Sequence, residues 1–147
     1  MALRNTPEQD LIDSFVSQLK KGEIYQSFEL LHCNCNSKNY ADIEFETLKE
    51  HWVIEAKSNK SGDAHNSAHK IFGELLKETG RNRDNVAKKI KYGILIPDFK
   101  FYQNKFRKIN PDKYIGFGKL IPIDTVFVLA DEKINRYSWK EFIEIEP

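Results

Sequence analysis

The chain has 147 residues, 40% of them hydrophobic and 31% charged, with a formal net charge of +1 at pH 7. That length fits a single domain, 1–147, able to bury roughly 70% of its unfolded surface, and the composition excludes a disordered or low-complexity chain. The opening MALRNTPEQD lacks the apolar stretch of a secretion signal and no run approaches the ~20 residues of a membrane span, so a cytoplasmic protein without a membrane partner is expected.

In chain order, TPEQDLIDSFVSQLKKG predicts a helix. Thr6 is the candidate N-cap and Pro7 the first helical residue, Leu11, Ile12, Phe15 and Leu19 share a stripe, and Gly22 is the stop. EIYQSFELLHC has strand composition, the polar NCNSKN reads as a turn, and YADIEFETL and HWVIEAKS complete a three-strand meander. GDAHNSAHKIFGELLKETG places Ala64, Ala68, Ile71, Phe72, Leu75 and Leu76 at helical spacing and ends at Gly80. RDNVAKKIK reads as a short helix, YGILIP as a strand covered on both faces, DFKFYQNKFRKIN as a helix and GFGKL as a turn. DTVFVLA is a further strand, and SWKEFIEI a last helix with Ser138 as its N-cap. Helices alternating with strands after a meander predict an α/β fold, a mixed central sheet flanked by helices on both faces.

Cys33 and Cys35 lie two apart on a strand-like run, pointing the same way from Cα atoms about 6.6 Å apart, a poor disulfide geometry. Without nearby His or Cys partners they fall short of a zinc set and are expected to be reduced. His65 and His69 stand four apart, but HNSAH lacks the glutamate of the zinc-protease pattern.

Residues 1–76 carry 8 Lys/Arg against 12 Asp/Glu, residues 77–113 carry 11 against 4, and residues 114–147 carry 4 against 6. The middle segment is therefore a candidate polyanion-facing surface, with a solvated helix face as the alternative.

The acidic residues of the meander alternate with apolar ones: Ala41, Ile43 and Phe45 on one face, Asp42, Glu44 and Glu46 on the other. In HWVIEAKS the parity reverses, with Trp52, Ile54 and Ala56 opposed to His51, Val53, Glu55 and Lys57. If TLKE is the hairpin loop, His51 pairs with Glu46, Trp52 with Phe45, Ile54 with Ile43 and Glu55 with Asp42. Two facing carboxylates repel unless a cation lies between them. Lys57 shares their face, and a divalent ion bound by both would satisfy the pair better.

Asp42, twelve residues, then Glu55-Ala56-Lys57 on a neighbouring strand resembles the PD-(D/E)xK, or restriction-endonuclease-like, nuclease superfamily, with Ala41 where the namesake pattern has proline. The layout is similar to archaeal-type Holliday junction resolvases. The resemblance implies a Mg²⁺-dependent enzyme, with Mn²⁺ as a substitute, that hydrolyses phosphodiester bonds in DNA, as an endonuclease before an exonuclease. It implies Asp42, Glu55 and the Ala56 carbonyl as metal ligands, Lys57 as the catalytic cation, and Glu8 of the first helix as a further acid. Asn66 and Lys70 would contact the substrate backbone, and Lys88, Lys89, Lys91, Lys105 and Arg107 of the basic segment would carry phosphates. Small nucleases of this fold act as homodimers, which is the oligomer the resemblance leaves open. The rival is a non-catalytic nucleic-acid or protein-binding module that retains the fold.

Overall fold

The computed structural model describes residues 7–34, 40–58 and 64–146, with the side chains of residues 64–69 left out. Thr6, Cys35 and most of the NCNSKN turn therefore lie outside the described residues, as do the side chains of Ala64, His65, Asn66, Ala68 and His69.

The first helix, α1 (Pro7–Lys20), buries Leu11, Ile12, Phe15, Val16 and Leu19 and is followed by Gly22 at φ 74°, the left-handed conformation that ends a helix cleanly at glycine. Three strands follow: β1 (Glu29–His32), β2 (Ile43–Glu46) and β3 (Glu50–Ala56). They form the expected antiparallel meander, with Ile43 opposite Ile54, Phe45 opposite Trp52 and Glu46 opposite His51. Helix α2 (Ala64–Thr79) leads to β4 (Lys89–Ile96), parallel to β3. Helices α3 (Phe99–Arg107) and α4 (Pro111–Leu120) lead to β5 (Ile123–Ala130), parallel to β4, and β6 (Lys133–Ser138) returns antiparallel before α5 (Trp139–Glu144).

The six described strands lie in the sheet in chain order. On one face α1 packs over Ile43, Phe45, Trp52, Ile54, Ala56, Leu95 and Phe127. On the other, Val53, Ile94, Ile96, Val126 and Val128 meet α2 through Ile71 and Leu75, α3 through Tyr102 and Phe106, α4 through Tyr114, and α5 through Trp139 and Phe142. The fold is thus α/β, a mixed sheet covered by helices on both faces, as the sequence predicts.

Three local expectations need correction. RDNVAKKIK is not a helix, because Asn82 turns back to accept the Asp84 amide at 2.9 Å and Val86 closes a tight turn on Arg83, also at 2.9 Å. That local bonding competes with helix, and Lys89, Ile90 and Lys91 join β4 instead. GFGKL is not a turn but the second half of α4, started by Pro111 and by Asn110, whose side chain accepts from the Asp112 and Lys113 amides. Finally, KINRYS is a strand the sequence did not announce. Its hairpin turn uses Asp131 and Glu132 at φ 50° and 64°, the backbone of a primed turn without the glycine that normally marks one.

Gly118 is required by packing. A side-chain carbon there would collide with the Trp139 ring, which stacks on Tyr114 at 4.1 Å and donates from Nε1 to the Tyr114 carbonyl at 2.8 Å. Gly118→Ala should lower the melting temperature by the equivalent of about 1–3 kcal/mol, the usual penalty for overpacking. Thermal melts of the two proteins check this, while Gly116→Ala, where nothing lies within 4 Å of the added carbon, should be neutral or mildly stabilising.

Candidate metal centre

The hairpin ladder ends at the Ile43–Ile54 pair, so Asp42 sits in the bend that enters β2 while Glu55 lies near the end of β3. Asp42 Oδ2 accepts the Ala56 amide at 2.9 Å, which pins its carboxylate across the strand ends beside Glu55. Glu55 is buried on the face turned to α2, with 5% of its surface exposed. Burial first, then the negative charge of Asp42, pushes the Glu55 carboxyl up to about 11. Asp42 is raised as well, chiefly by burial, and its hydrogen bond with Glu55 works the other way. Without a cation, Glu55 therefore keeps its proton and donates it to Asp42.

Helix α2 supplies a third carboxylate. One ligand oxygen each from Asp42, Glu55 and Glu74 lie within 4.8 Å of one another. Glu74 Oε1 is also 2.6 Å from Lys57 Nζ, so the ammonium stands at the edge of the acidic group, bound to Glu74. The donor set suits a hard divalent cation. Two oxygens on one Mg²⁺ are at most about 4.2 Å apart, from its ~2.1 Å bonds, so a small adjustment of side chains closes the three acids on one ion. Among the described residues, only carboxylates belong to the group.

The remaining candidates are dispersed. Glu8 is half-buried on α1 and acts on the Tyr102 phenol, whose ionisation burial already opposes, but it does not belong to the acidic group. Lys70 is exposed on α2. Lys89 lies opposite Glu50 in the β3–β4 ladder, five residues and roughly 16 Å along β3 from Glu55. Lys91 lies against Trp52 on the α1 side of the sheet and pairs with Glu50 at 2.6 Å and Asp124 at 3.4 Å. Lys88 donates to the Thr47 carbonyl at 2.8 Å, Lys105 lies over the Phe101 ring, and Arg107 donates to the carbonyls of Ile143 and Ile145. The basic start of β4 thus sits at the far end of the sheet from the carboxylates.

Sequence reasoning missed Glu74, although Asn66, Lys70 and Glu74 follow one another at four-residue spacing on α2, and extending that row would have reached it. It also missed a buried polar network below the site. His51 Nε2 is 2.9 Å from Glu44 Oε1 and its Nδ1 is 2.9 Å from Glu46 Oε2, so both ring nitrogens face acceptors and the ring is an imidazolium. The Glu44 hydrogen bond, followed by that of Glu46, raises the His51 pKa against its burial. Beyond the ring, Arg83 Nη2 lies 3.5 Å from Glu44 and Lys88 Nζ 3.6 Å from Glu46. Because the folded-state pKa lies above the unfolded value, His51 contributes stability that is complete below about pH 6.5 and is lost as pH rises through the folded pKa. Metal-free melting temperature should accordingly fall as pH rises above about 6.5. Glu55 adds a slope of the same sign, so the difference between wild type and His51→Gln in a pH series of melts isolates the histidine.

No family model and no curated protein matches the chain. A solved structure does. The backbone is similar to that of an XisH family protein from Nostoc punctiforme PCC 73102, with a TM-score of 0.56 and 13% identity over 89% of this chain and 98% of that one. At that identity the likeness is one of fold. No described helix is long and apolar enough to cross a membrane.

Proposed function

We propose that the chain is a Mg²⁺-dependent nuclease, with Mn²⁺ as a substitute, that hydrolyses phosphodiester bonds in DNA. The observation that carries this reading is the convergence of Asp42, Glu55 and Glu74 oxygens within 4.8 Å, with the Lys57 ammonium bound to the outermost of them. Gathering these carboxyl groups at the end of a buried strand forces Glu55 to keep its proton, and a divalent cation bound there would let it ionise without that cost.

Asp42 and Glu55 would hold the ion, with the Ala56 carbonyl as the further ligand the resemblance implies. When bound, the ion supplies Lewis-acid stabilisation of a phosphate oxygen and acidifies water. The Ala56 amide orients Asp42. Lys57 offers three donors at the rim of the group, where they stabilise charge gathering on the scissile phosphate or hold the attacking water. The ion pair with Glu74 holds this ammonium beside the carboxylates.

The test is incubation of the purified chain with supercoiled plasmid and with a four-way junction, in Mg²⁺, in Mn²⁺ and in EDTA. Nicking or junction cleavage that EDTA abolishes supports the reading. Salt-dependent DNA binding without cleavage in either metal would replace it with the non-catalytic module. Size-exclusion chromatography on the same samples reads whether the active species is a homodimer.

A further inference from the structure

Two of the three carboxylates reach the site from outside β3, Asp42 from the bend before β2 and Glu74 from α2. A buried network spans these two arms. Glu44 Oε2 accepts the amide of Ala41, the residue before Asp42, at 2.8 Å, and lies 3.5 Å from Arg83 Nη2. The same Arg83 nitrogen is 2.7 Å from Glu78 Oε2, and Glu78 stands one helical turn beyond Glu74 on α2. His51 holds the other Glu44 oxygen. The Glu44, Arg83 and Glu78 side chains are 5%, 8% and 4% exposed. Apolar residues of similar size would often stabilise a core as well as such a charged cluster, so stability alone does not account for it.

We propose that Glu44, His51, Arg83 and Glu78 form a positioning clamp that sets the separation of Asp42 and Glu74 about Glu55 and so fits the site to a small divalent cation. The inference rests on the metal-dependent hydrolase reading. None of the four touches the ion. Glu44 acts through the Ala41 backbone, and Arg83 acts through Glu78 on the turn of α2 that carries Glu74. Mg²⁺ demands oxygens at about 2.0–2.1 Å whereas Ca²⁺ accepts about 2.3–2.6 Å, so a looser carboxylate spacing shifts preference toward the larger ion.

The experiment is calorimetric titration of the full chain with Mn²⁺, Mg²⁺ and Ca²⁺, comparing wild type with His51→Leu, His51→Gln and Arg83→Lys, each checked for folding by circular dichroism. His51→Leu should weaken Mn²⁺ and Mg²⁺ binding about tenfold or more, and Ca²⁺ binding less, so that the preference for the smaller ions narrows. His51→Gln, whose amide still donates to Glu44, should recover most of the affinity. Arg83→Lys should fall between, because lysine cannot bridge two carboxylates with a planar fork, and it decides the matter should His51→Leu fail to fold. Folded variants with lower melting temperatures but unchanged affinities and ion preference would overturn the clamp and leave the hydrolase reading standing. A wild type that binds none of the three ions would overturn both.

Discussion

Lys57→Ala should reduce metal-dependent plasmid cleavage by about 10²–10⁴-fold, the range expected when a single group stabilising developing charge is removed. DNA affinity should change little, since a group whose interaction matures only in the transition state lowers kcat and kcat/KM together. The position of Lys57 gives a second, independent expectation. Its ammonium is bound to Glu74 at 2.6 Å, so its removal leaves Glu74 unpaired beside Asp42 and Glu55. The affinity for Mn²⁺ should therefore stay the same or tighten in Lys57→Ala. Single-turnover cleavage together with Mn²⁺ titration makes the measurement. Cleavage equal to wild type would remove Lys57 from the chemistry, and loss of Mn²⁺ binding would reassign it to maintaining the site.

The second large effect is expected at Glu55. Without a cation its carboxyl is neutral and donates to Asp42, and glutamine reproduces both the shape and the donor. Glu55→Gln should therefore melt within a few degrees of metal-free wild type. What it should lose is the response to metal. A cation present at about 100 times its Kd adds about 2.7 kcal/mol to a folded protein that binds it, which for a chain near 150 residues corresponds to roughly 5–10 °C. Wild type should show that shift with Mn²⁺, and Glu55→Gln and Asp42→Asn should not. Melting curves of the three proteins in EDTA and in Mn²⁺ decide. An undiminished shift in Glu55→Gln would place the ion elsewhere, and cleavage by Glu55→Gln at the wild-type rate would end the assignment of the active site.

The hairpin was legible in the sequence because side-chain parity has no freedom there. A one-residue slip would turn Trp52 and Ile54 to the face opposite Ile43 and Phe45, and the observed register places Asp42 and Glu55 at adjoining strand ends. Glu74 was not legible in the same way. On an isolated helix an acidic residue beside a buried leucine is what a solvated face also looks like, and only the docking of α2 against β3 separates the two. Arg83 was hidden more deeply, because its inward turn depends on the Asn82 and Val86 bonding that replaces the expected helix. β6 was missed for a related reason. Its turn residues Asp131 and Glu132 are in a backbone conformation usually signalled by asparagine or glycine, so the residue types carried no mark of it.

The chain-order sheet bears on how the molecule assembles. Every described strand pairs with the strand before or after it in the chain, so the sheet can grow stepwise, with no pairing that must wait for a strand later in the chain to be inserted. Helix α1 is the exception, because it precedes every strand yet packs on residues from β2 to β5, including an edge-on contact between Phe15 and Phe127 at 5.2 Å. Its seat exists only after β5 has joined. Phe15→Ala should on that account speed unfolding while leaving the refolding rate nearly unchanged, whereas Ile94→Ala, in the middle of the growing sheet, should slow refolding. Stopped-flow chevrons of the two variants measure the order directly: α1 is the element that locks a sheet already formed.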